Sequence, residues 1–385
     1  MTAIRAFVEH LLRWATQRTI AVQRPFIIGI TGSSGKTSTK SAIGHVLMRT
    51  VSDRVIRVGQ GNLNTEFGLP LVVLGFPKPE GSVAWLRTVC RAMWRGLMPT
   101  RTQRPVVLVL EYGVEHQGDM ARLVRIAAPD VAVVTNVGEA HTEFLGSVDG
   151  VAREKGILVR TLKPNGIAIL NTNDRRVRAM GERTQATVVP VAAPLATLSQ
   201  ELAVAVAQHA FGVDAARARS ALNDWVRPKG RLQLLKGVKG SWILDDSYNA
   251  NPISMTFALS ELERIAQEKS AKRIIAVLGD MLELGSEENK AHTGIALLAE
   301  RVATRIVLVG PRFRRTKRGE WYPSPMQAAE ALTPTIEHGD LILVKGSQSM
   351  RMEKVSEALL ADAREAGRVL ERQTPFWKAK PYVAP

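Results

Sequence analysis

The sequence predicts an α/β protein with two domains, and three observations support this. Short apolar runs alternate with helical patterns, a turn rich in glycine and lysine follows the first run, and the alternation restarts after a break at 227–230. Continuous apolar runs are typical of strands buried on both faces of a parallel sheet. We therefore predict a P-loop domain with a mostly parallel sheet at 25–228 and a Rossmann-like α/β domain at 229–385. A short segment, 1–24, precedes them.

The individual elements follow from these runs in chain order. The first domain is predicted to contain strands 26–31, 105–111, 130–136 and 166–171, and helices 36–48, 119–127, 148–162 and 198–210. The second is predicted to contain strands 242–246, 273–279, 305–310 and 341–345, and helices 254–265, 289–302 and 350–363. Strand–helix alternation of this kind is typical of doubly wound domains.

Composition restricts the class of protein. Of the 385 residues, 45% are hydrophobic and 23% are charged, which fits a globular core and excludes disordered and collagen-like chains. No apolar run reaches the roughly 18 residues of a membrane-spanning helix, and no signal peptide is recognisable. The one cysteine, Cys90, excludes a disulfide framework and a multi-cysteine metal site, so a reducing cytoplasm is expected.

The net charge of +16 is concentrated in three segments. Residues 1–24 carry +3, residues 76–104 carry +5 and residues 311–320 carry +4. Basic patches favour an anionic partner, either nucleic acid or an anionic membrane. A P-loop ATPase that binds nucleic acid is one candidate, although no basic groove interleaved with aromatic residues is present.

The strongest chemical signal is the loop Thr31–Thr37, TGSSGKT, between a predicted strand and a predicted helix. Such a loop turns backbone N–H groups toward phosphate, its lysine reaches the β- and γ-phosphates, and its threonine hydroxyl binds Mg²⁺. Lys36 and Thr37 hold those positions. The strict P-loop spacing fails because Ile30 stands where the first glycine belongs, and the alternative is a plain Gly/Ser turn before a helix.

Two further candidate ligands follow strands of the same predicted sheet. Glu111 ends the run 105–111, and His141 follows the run 130–136. Each alone is ordinary, since strand-end acids and structural histidines are common. Open α/β sheets bind ligands at the carboxyl ends of their strands, so a shared position there favours one common site.

These motifs occur in the order and spacing of the Mur ligases, and the chain resembles that family from about residue 26 to residue 365. The matching strings are Thr31–Thr37, Gly61–Asn64, Glu111–Gly113, Asn136–His141, Gly230–Arg231, Leu244–Pro252, Gly279–Gly285 and Val344–Ser347. DDSYNANP, GDMLELG and VKGS resemble the branch that adds D-alanyl-D-alanine to a muramoyl-tripeptide. The resemblance implies an ATP- and Mg²⁺-dependent peptide ligase of peptidoglycan precursor synthesis, acting as a monomer through an acyl phosphate.

The resemblance also implies roles for residues of the first domain. The ATP phosphates would be held by Gly32, Ser33, Ser34, Gly35, Lys36, Thr37 and Ser38. Thr37 and Glu111 would hold one Mg²⁺, and His141 would hold a second together with Lys155 as a carbamate. A carbamate converts a lysine cation into an anionic oxygen ligand, which Mg²⁺ prefers. Lys36, His141 and Lys155 are the implied catalytic residues.

Nucleotide and substrate contacts are implied for the remaining matches. Those near the nucleotide would be Arg231 at the phosphates, Asp246 at the ribose, and Asn249 and Asn251 beside them. Those near the substrates would be Asn62, Asn64, Lys345 and Ser347.

The chain departs from the family pattern in three places. Members carry an N-terminal domain that binds the UDP-sugar, whereas about 25 residues precede the first strand here. Gln200 stands where an adenine-contacting asparagine is usual, and Gln348 stands where an arginine is common. Because of these departures, a second function stays possible: an amide ligase of the folylpolyglutamate or cyanophycin type that acts on a substrate without UDP.

The N-terminal segment has its own pattern. An apolar stripe at helical spacing is formed by Ile4, Phe7, Val8, Leu11, Leu12 and Ala15. One interpretation is a helix that packs on the P-loop domain, and the other is a helix that lies on an anionic membrane. A second basic amphipathic stretch, 83–98, would add to the same membrane-facing surface.

Overall fold

The structure, a computed structural model, describes residues 2–61 and 63–385 and divides into two compact units. The first unit runs to Val137 and continues over Phe144–Val226. The second comprises Gly138–Glu143 and Arg227–Pro385. The short segment Gly138–Glu143 thus groups with residues that follow it by about a hundred positions in the chain. The predicted domains, 25–228 and 229–385, are continuous in sequence and do not include this exchange.

The first unit is built on a six-stranded sheet in which all neighbouring strands are parallel. Its strands are β1 (Phe26–Thr31), β2 (Val55–Val58), β3 (Val106–Glu111), β4 (Val131–Val134), β5 (Ile167–Asn171) and β6 (Thr187–Val191). The spatial order is β2-β3-β1-β4-β5-β6, so β1 lies near the centre and continues directly into the glycine-rich loop. The predicted α/β fold class is confirmed.

Helices pack on both faces of this sheet. The helices between residues 2 and 226 are α1 (Thr2–Gln23), α2 (Lys36–Thr50), α3 (Gly68–Leu74), α4 (Ser82–Leu97), α5 (Asp119–Ile126), α6 (Thr142–Leu145), α7 (Val148–Arg160), α8 (Arg175–Met180), α9 (Leu198–Phe211) and α10 (Ala215–Ser220). The first two residues of α6 belong to the second unit. Successive strand residues point to opposite faces. Ile27 therefore packs in the core that contains α5 and α7, whereas Ile28 packs in the core that contains α2 and α9.

The second unit has a mixed six-stranded sheet in the order β11-β10-β9-β12-β8-β7. Its strands are β7 (Gln233–Lys236), β8 (Trp242–Asp246), β9 (Arg273–Gly279), β10 (Arg305–Val309), β11 (Glu320–Tyr322) and β12 (Asp340–Lys345). Its helices are α11 (Pro252–Lys269), α12 (Glu288–Val302), α13 (Pro311–Arg314), α14 (Pro325–Leu332), α15 (Glu353–Leu359), α16 (Ala366–Val369) and α17 (Pro375–Ala379). Only β7, at one edge, is antiparallel to its neighbour.

The sequence missed the four edge strands β2, β6, β7 and β11. Each is three to five residues long and partly exposed, so none presents the continuous apolar run that marked the central strands. The predicted strand 130–136 ends two residues early, at Val134, because Thr135 and Asn136 turn to hold the glycine-rich loop. The predicted helix 350–363 is shorter in the structure, Glu353–Leu359.

The N-terminal helix α1 packs on α4 through its second half. Leu12 and Ala15 are buried with Ala92 of α4. Gly96 allows the close approach, since a Cβ there would lie 2.3 Å from Cζ3 of Trp14. The packing interpretation therefore describes this half of the helix. Within residues 2–61 and 63–385, no helix combines the length and apolar character needed to span a bilayer.

Candidate functional site

The glycine-rich loop of the first unit is fixed by the residues that follow β4. The Ser33 amide donates to the Asn136 carbonyl at 2.9 Å, and the Ser34 amide donates to Asn136 Oδ1 at the same distance. The Thr135 hydroxyl donates to the Ser34 carbonyl at 2.6 Å. Sequence reasoning singled out neither Thr135 nor Asn136 as a support for the loop, although Asn136 opens one of the matching strings. Two neighbouring strands thus set the loop conformation before any phosphate arrives.

The loop has the backbone that a phosphate cradle requires. Gly32 has φ +148° and Gly35 has φ +79°, values that residues with a Cβ adopt at a cost in strain. Helix α2 begins at Lys36, and its N-terminus carries partial positive charge toward the loop. Lys36 Nζ donates to the Gly32 carbonyl at 2.6 Å, so the ammonium group lies against the loop that would hold an anion.

Several of the predicted site residues contact Glu111, at the end of β3. Thr37 Oγ1 donates to Glu111 Oε2 at 3.1 Å, and Asn64 Nδ2 donates to Glu111 Oε1 at 3.2 Å. Lys40 Nζ forms an ion pair with Glu111 Oε2 at 3.2 Å and donates to the Gly61 carbonyl at 2.7 Å. Both partners of this ion pair are almost fully buried.

Lys40 is a site residue that sequence reasoning missed. It follows Lys36 by four residues on α2, so both lysines lie on one face of the helix. This spacing of four residues is the sequence feature that could have identified Lys40 as a site residue. A buried carboxylate needs a partner charge, and Lys40 supplies it to Glu111.

Lys155, on α7, is the second buried lysine of this unit, with 1% of its surface exposed. Burial lowers the pKa of its ammonium group well below the usual range, and the charge of Lys36 lowers it further, against the opposing effects of Glu154 and Glu111. The neighbouring Glu154 carboxylate accepts from the Gly118 and Met120 amides at 3.1 and 2.8 Å, at the N-terminus of α5. Glu154 therefore anchors α5, and Lys155 is left as a buried amine with increased neutral character.

The donor atoms at Glu111 suit a magnesium ion bound together with phosphate. Mg²⁺ is commonly held by one or two carboxylates, a hydroxyl and substrate phosphate oxygens. The Glu111 carboxylate and the Thr37 hydroxyl supply that chemistry side by side. No group of three histidine, cysteine or acidic side chains forms a metal site by itself among the residues that the structure describes. The fit therefore depends on oxygens from a ligand or from a modified lysine.

His141 groups with the second unit. Its Nδ1 lies 2.6 Å from Glu283 Oε2, and the Thr142 hydroxyl donates to the Leu284 carbonyl at 3.3 Å. His141 has φ +60° and Glu283 has φ +63°, so two left-handed residues meet in this contact. Glu283 was missed as a partner, although it lies within the matching GDMLELG string. His141 is thus grouped with the second unit, whereas Lys36, Thr37, Glu111 and Lys155 belong to the first.

Asp246 and Lys345 of the second unit form a buried pair at the carboxyl ends of β8 and β12. Lys345 Nζ donates to Asp246 Oδ2 at 2.6 Å and to the Asn249 carbonyl at 2.8 Å. Burial lowers the pKa of Lys345, while the Asp246 charge opposes that shift. The Leu232 amide donates to the other Asp246 oxygen at 3.2 Å. Asp246, the predicted ribose contact, and Lys345, a predicted contact of the amine substrate, therefore bind each other in this structure.

The other predicted residues of the second unit lie around this pair. The Arg231 guanidinium lies 4.0 Å from the centroid of the Tyr248 ring, a stacked arrangement. Asn251 caps α11, because its Oδ1 accepts from the Ser254 amide at 2.9 Å. Ser347 Oγ accepts from the Leu282 amide at 3.0 Å. Asn251 and Ser347 thus have structural roles in this state, whatever ligands they bind.

Two buried acids flank these residues. Burial raises the pKa of Asp245 to about 6, while the Ser356 hydroxyl donates to its Oδ1 at 2.7 Å. Asp280 accepts from the Arg312 and Phe313 amides at 2.9 and 2.8 Å. The Asp245 contact therefore ties β8 to α15, and the Asp280 contacts tie the loop after β9 to α13.

Two predicted residues remain. Ser38 lies half-buried in the first turn of α2, one residue beyond Thr37. Asn62 lies outside the described residues.

Comparison with protein families explains why these residues occur together. Residues 30–209 match the Mur ligase middle domain, and residues 230–348 match the family described as the Mur ligase, glutamate ligase domain. Together the two matches span most of the chain. The chain belongs to the Mur ligase family.

Two curated relatives of this Mur ligase are named for the same activity. The UDP-N-acetylmuramoyl-tripeptide–D-alanyl-D-alanine ligase of Mycobacterium tuberculosis is 30% identical, with 87% of this chain and 73% of the relative covered. The ligase of the same name from Bacillus subtilis is 29% identical, with 87% and 76% covered.

Solved structures also resemble this Mur ligase. MurF of Thermotoga maritima in complex with ADP aligns with a TM-score of 0.72 at 24% identity, covering 94% of this chain and 84% of that one. FolC of Escherichia coli in complex with ADP aligns with a TM-score of 0.64 at 18% identity, covering 93% and 94%. At these identities the two likenesses show a shared fold.

The loop of this Mur ligase should not tolerate a side chain at Gly32. A Cβ at that position would lie 1.9 Å from Thr135 Oγ1, and φ +148° is unfavourable for any residue with a Cβ. We expect Gly32→Ala to lower the free energy of unfolding of the first unit by about 1–3 kcal/mol, since the clash shifts a packed loop. The KM for ATP should rise at least about tenfold, because a distorted loop binds the phosphates less well and a loss of about 1.4 kcal/mol in binding free energy lowers affinity tenfold. Thermal unfolding and steady-state kinetics measure the two effects.

Gly294→Ala on α12 is the matched control. A Cβ at Gly294 meets nothing within 4 Å, and alanine is favoured over glycine inside a helix by about 1 kcal/mol. This variant should keep its kinetics and its thermal midpoint or gain stability. A Gly32→Ala protein that behaves like the control would contradict the assigned loop geometry.

Proposed function

We propose that this Mur ligase uses ATP to join D-alanyl-D-alanine to the terminal carboxyl group of a muramoyl-tripeptide. The supporting observation is the cluster of Lys36, Thr37, Glu111 and Lys155 in one unit, at the edge of the sheet where β1 enters the loop. The chain that contains this cluster is about 30% identical to ligases named for this activity, and the alignments cover roughly three quarters of those ligases.

We propose that the reaction proceeds in two steps. A carboxylate oxygen of the tripeptide attacks the γ-phosphorus, the bond to the bridging oxygen breaks, and ADP leaves as an acyl phosphate forms. The amine of D-alanyl-D-alanine then attacks the acyl carbon, phosphate leaves, and the nitrogen releases a proton as the amide forms. In such a transfer the protein acts through positioning and electrostatic stabilisation.

Residues of the first unit would supply the positive charge and the ligand oxygens. The loop amides and Lys36 would hold the phosphates, with Ser38 in the first turn of α2 beside them. Mg²⁺ would be held by Thr37 and Glu111, and it supplies neutralisation of the phosphoryl charge when bound. Asn64 would keep the Glu111 carboxylate oriented through its hydrogen bond.

Lys155 would contribute a further ligand after modification. A neutral amine attacks CO₂, an N–C bond forms and a proton is released, which leaves a carbamate anion on the lysine. Burial lowers the pKa of Lys155 and so increases the neutral fraction that this reaction needs. We propose that the carbamate and His141 hold a second Mg²⁺.

The second unit would bind the nucleotide and the amine substrate. Arg231 would contact the phosphates, Asp246 the ribose, and Asn249 and Asn251 the region beside them. The amine substrate would lie near Lys345 and Ser347, with Asn62 in the acyl-acceptor region. We further propose that the enzyme acts as a monomer in the cytoplasm, where ATP is available, with α1 and α4 as the parts that would touch a membrane.

Product analysis tests this function. The purified protein is mixed with ATP, Mg²⁺ and each substrate alone or together, and ADP release is followed with mass spectrometry of the products. Acceptors with and without a UDP group are compared. We expect ADP release only when both substrates are present, and a product whose mass equals the two substrates minus water. ADP release that depends instead on a folate and glutamate, or on nucleic acid, would overturn the proposal.

Arg231 provides a separate prediction for the second unit. We expect Arg231→Ala to raise the KM for ATP by about tenfold or more, because a charge-assisted contact to phosphate contributes about 1.5–3 kcal/mol. The thermal midpoint should fall by only a few degrees, since Arg231 is half-buried and stacks on the ring of Tyr248, just after β8, outside the apolar core. Arg301→Ala, an exposed position on α12, is the control and should keep the original KM. An unchanged KM in Arg231→Ala would remove this residue from the nucleotide site.

A further inference from the structure

Helix α4 is apolar on the side that faces away from the protein. Its inward side is formed by residues that repeat every three or four positions, among them Thr88, Ala92 and Gly96, and these are buried. Its outward side carries Val83, Leu86, Trp94 and Leu97, whose side chains are 58–66% exposed. A surface helix normally presents polar residues there, so the outward side has the composition of a buried face without a covering element.

The first turns of α1 continue this surface. Ile4 is 74% exposed and Phe7 is 65% exposed, although both belong to the apolar stripe of α1. A groove of about 600 Å³ runs between the two helices and is lined by these residues together with Trp85 and Leu86. We call the set Ile4, Phe7, Val83, Leu86, Trp94 and Leu97 the apolar belt. Contiguous exposed apolar patches of this kind mark interaction sites.

The charges beside the belt are all of one sign on α4. Arg87, Arg91 and Arg95 follow one flank of the helix at intervals of four residues, and α4 has no acidic residue. The acidic residues near the belt are Glu9, Glu66 and Glu80, and Glu66 is already paired with Arg5 at 2.9 Å. The arginines of α4 therefore remain a positive border to the belt.

We infer that the apolar belt and its arginine border bind the surface of an anionic lipid bilayer. An interfacial helix places apolar and aromatic side chains among the acyl chains and basic side chains among the headgroups, and this surface offers both. A second copy of the chain fits less well, because a two-fold interface would bring two positively charged borders together. This inference concerns attachment and is independent of the ligase reaction.

The chain's one cysteine makes the test direct. Cys90 lies exposed on α4, seven residues after Val83 and therefore on the outward side. An environment-sensitive fluorophore on Cys90 of the full-length protein reports entry into a bilayer. Vesicles of phosphatidylcholine alone are compared with vesicles of phosphatidylcholine and phosphatidylglycerol in equal parts, at about 0.1 M and about 1 M salt, where the Debye length is about 10 and 3 Å.

The inference predicts a blue shift and co-sedimentation with the anionic vesicles at low salt, and loss of both at high salt. A label moved to an exposed position of α11, in Cys90→Ser/Gln267→Cys, should co-sediment without a blue shift, because that helix lies in the second unit. An equal shift at both positions, or no binding to anionic vesicles at low salt, would overturn it.

Two surface variants separate the charged and apolar contributions. Arg87→Gln/Arg91→Gln should weaken vesicle binding about 25-fold, since each basic residue near an anionic surface contributes about fivefold. Leu86→Ser/Trp94→Ser should weaken it at least about tenfold through lost apolar burial. Arg175→Gln/Arg178→Gln, exposed on α8, is the charge-matched control and should bind normally. If Leu86→Ser/Trp94→Ser instead converts a dimer to a monomer by light scattering and vesicles do not bind, the belt is an interface between copies and the inference fails.

Discussion

Replacing Lys36 by alanine is expected to reduce ligase turnover by about a thousandfold or more. The Lys36 ammonium lies against the Gly32 carbonyl, inside the loop that would hold the phosphates. Catalysis of phosphoryl transfer depends on charge stabilisation by groups already in place, and losing one such group changes rates by about 10²–10⁵. Turnover is measured as ADP release with both substrates at saturation.

A surface lysine of the same unit gives the matched control. Lys163→Ala removes a charge from an exposed turn after α7 and should leave turnover unchanged. Thermal unfolding of Lys36→Ala should resemble that of the original protein, because the side chain is only half-buried and packs on the loop surface. Turnover within tenfold of the original in a folded Lys36→Ala protein would refute the assignment of this loop to ATP.

The second large effect is expected at Lys155. Lys155→Met should lose at least about a hundredfold in turnover, because no carbamate can form and an anionic metal ligand is lost. Methionine fills a volume similar to that of the lysine stem, so no large cavity is left beside Leu158 and Val159. The smaller variant Lys155→Ala leaves room for a short-chain carboxylate such as acetate, and its turnover should partly recover when acetate is added.

The stability of Lys155→Met should move in the opposite direction from its activity. Burial lowers the pKa of Lys155, so between that value and the usual 10.5 the unfolded chain binds a proton that the folded chain does not. Stability contributed by this residue therefore rises with pH across that window, and at neutral pH the buried amine is destabilising. We expect Lys155→Met to have an equal or higher thermal midpoint at pH 7 in CO₂-free buffer.

Dependence on CO₂ distinguishes a carbamate from a lysine that merely fills space. Turnover of the original protein should fall in CO₂-depleted buffer and return on adding bicarbonate, whereas Lys155→Met should respond to neither. Full activity in Lys155→Met, or activity in Lys155→Ala that acetate does not increase, would show that the amine is a packing residue.

Asp246 illustrates how the structure changes the expectation for a site residue. The resemblance implied only a contact between Asp246 and the ribose of the nucleotide. The structure gives Asp246 a buried partner, Lys345, and breaking such a pair leaves an uncompensated charge. Asp246→Asn is therefore expected to destabilise the second unit as well as to alter nucleotide binding.

Much of this protein could be determined from the sequence alone. The strands at the centres of both sheets were predicted because residues buried on two faces leave continuous apolar runs, as in β3 and β12. The loop Thr31–Thr37 was recognisable because its glycines and its lysine occupy fixed positions between a strand and a helix. Net charge gave a less specific signal. It suggested nucleic acid as readily as a membrane, since charge counts carry no information about which face of a helix is exposed.

Only the tertiary structure decided the properties that depend on distant partners. Lys155 became a buried amine with a lowered pKa because residues from other elements remove it from water, whereas its local sequence is that of an ordinary helix lysine. Lys40 became the partner of Glu111 through a contact across 71 positions, and segment 138–143 joined the second unit through contacts such as His141 with Glu283. The exposed apolar side of α4 is likewise a property of the tertiary structure, because the opposite side of the helix is the one that packs on the protein. Burial and pairing are set by residues far apart in the chain, and local periodicity records neither.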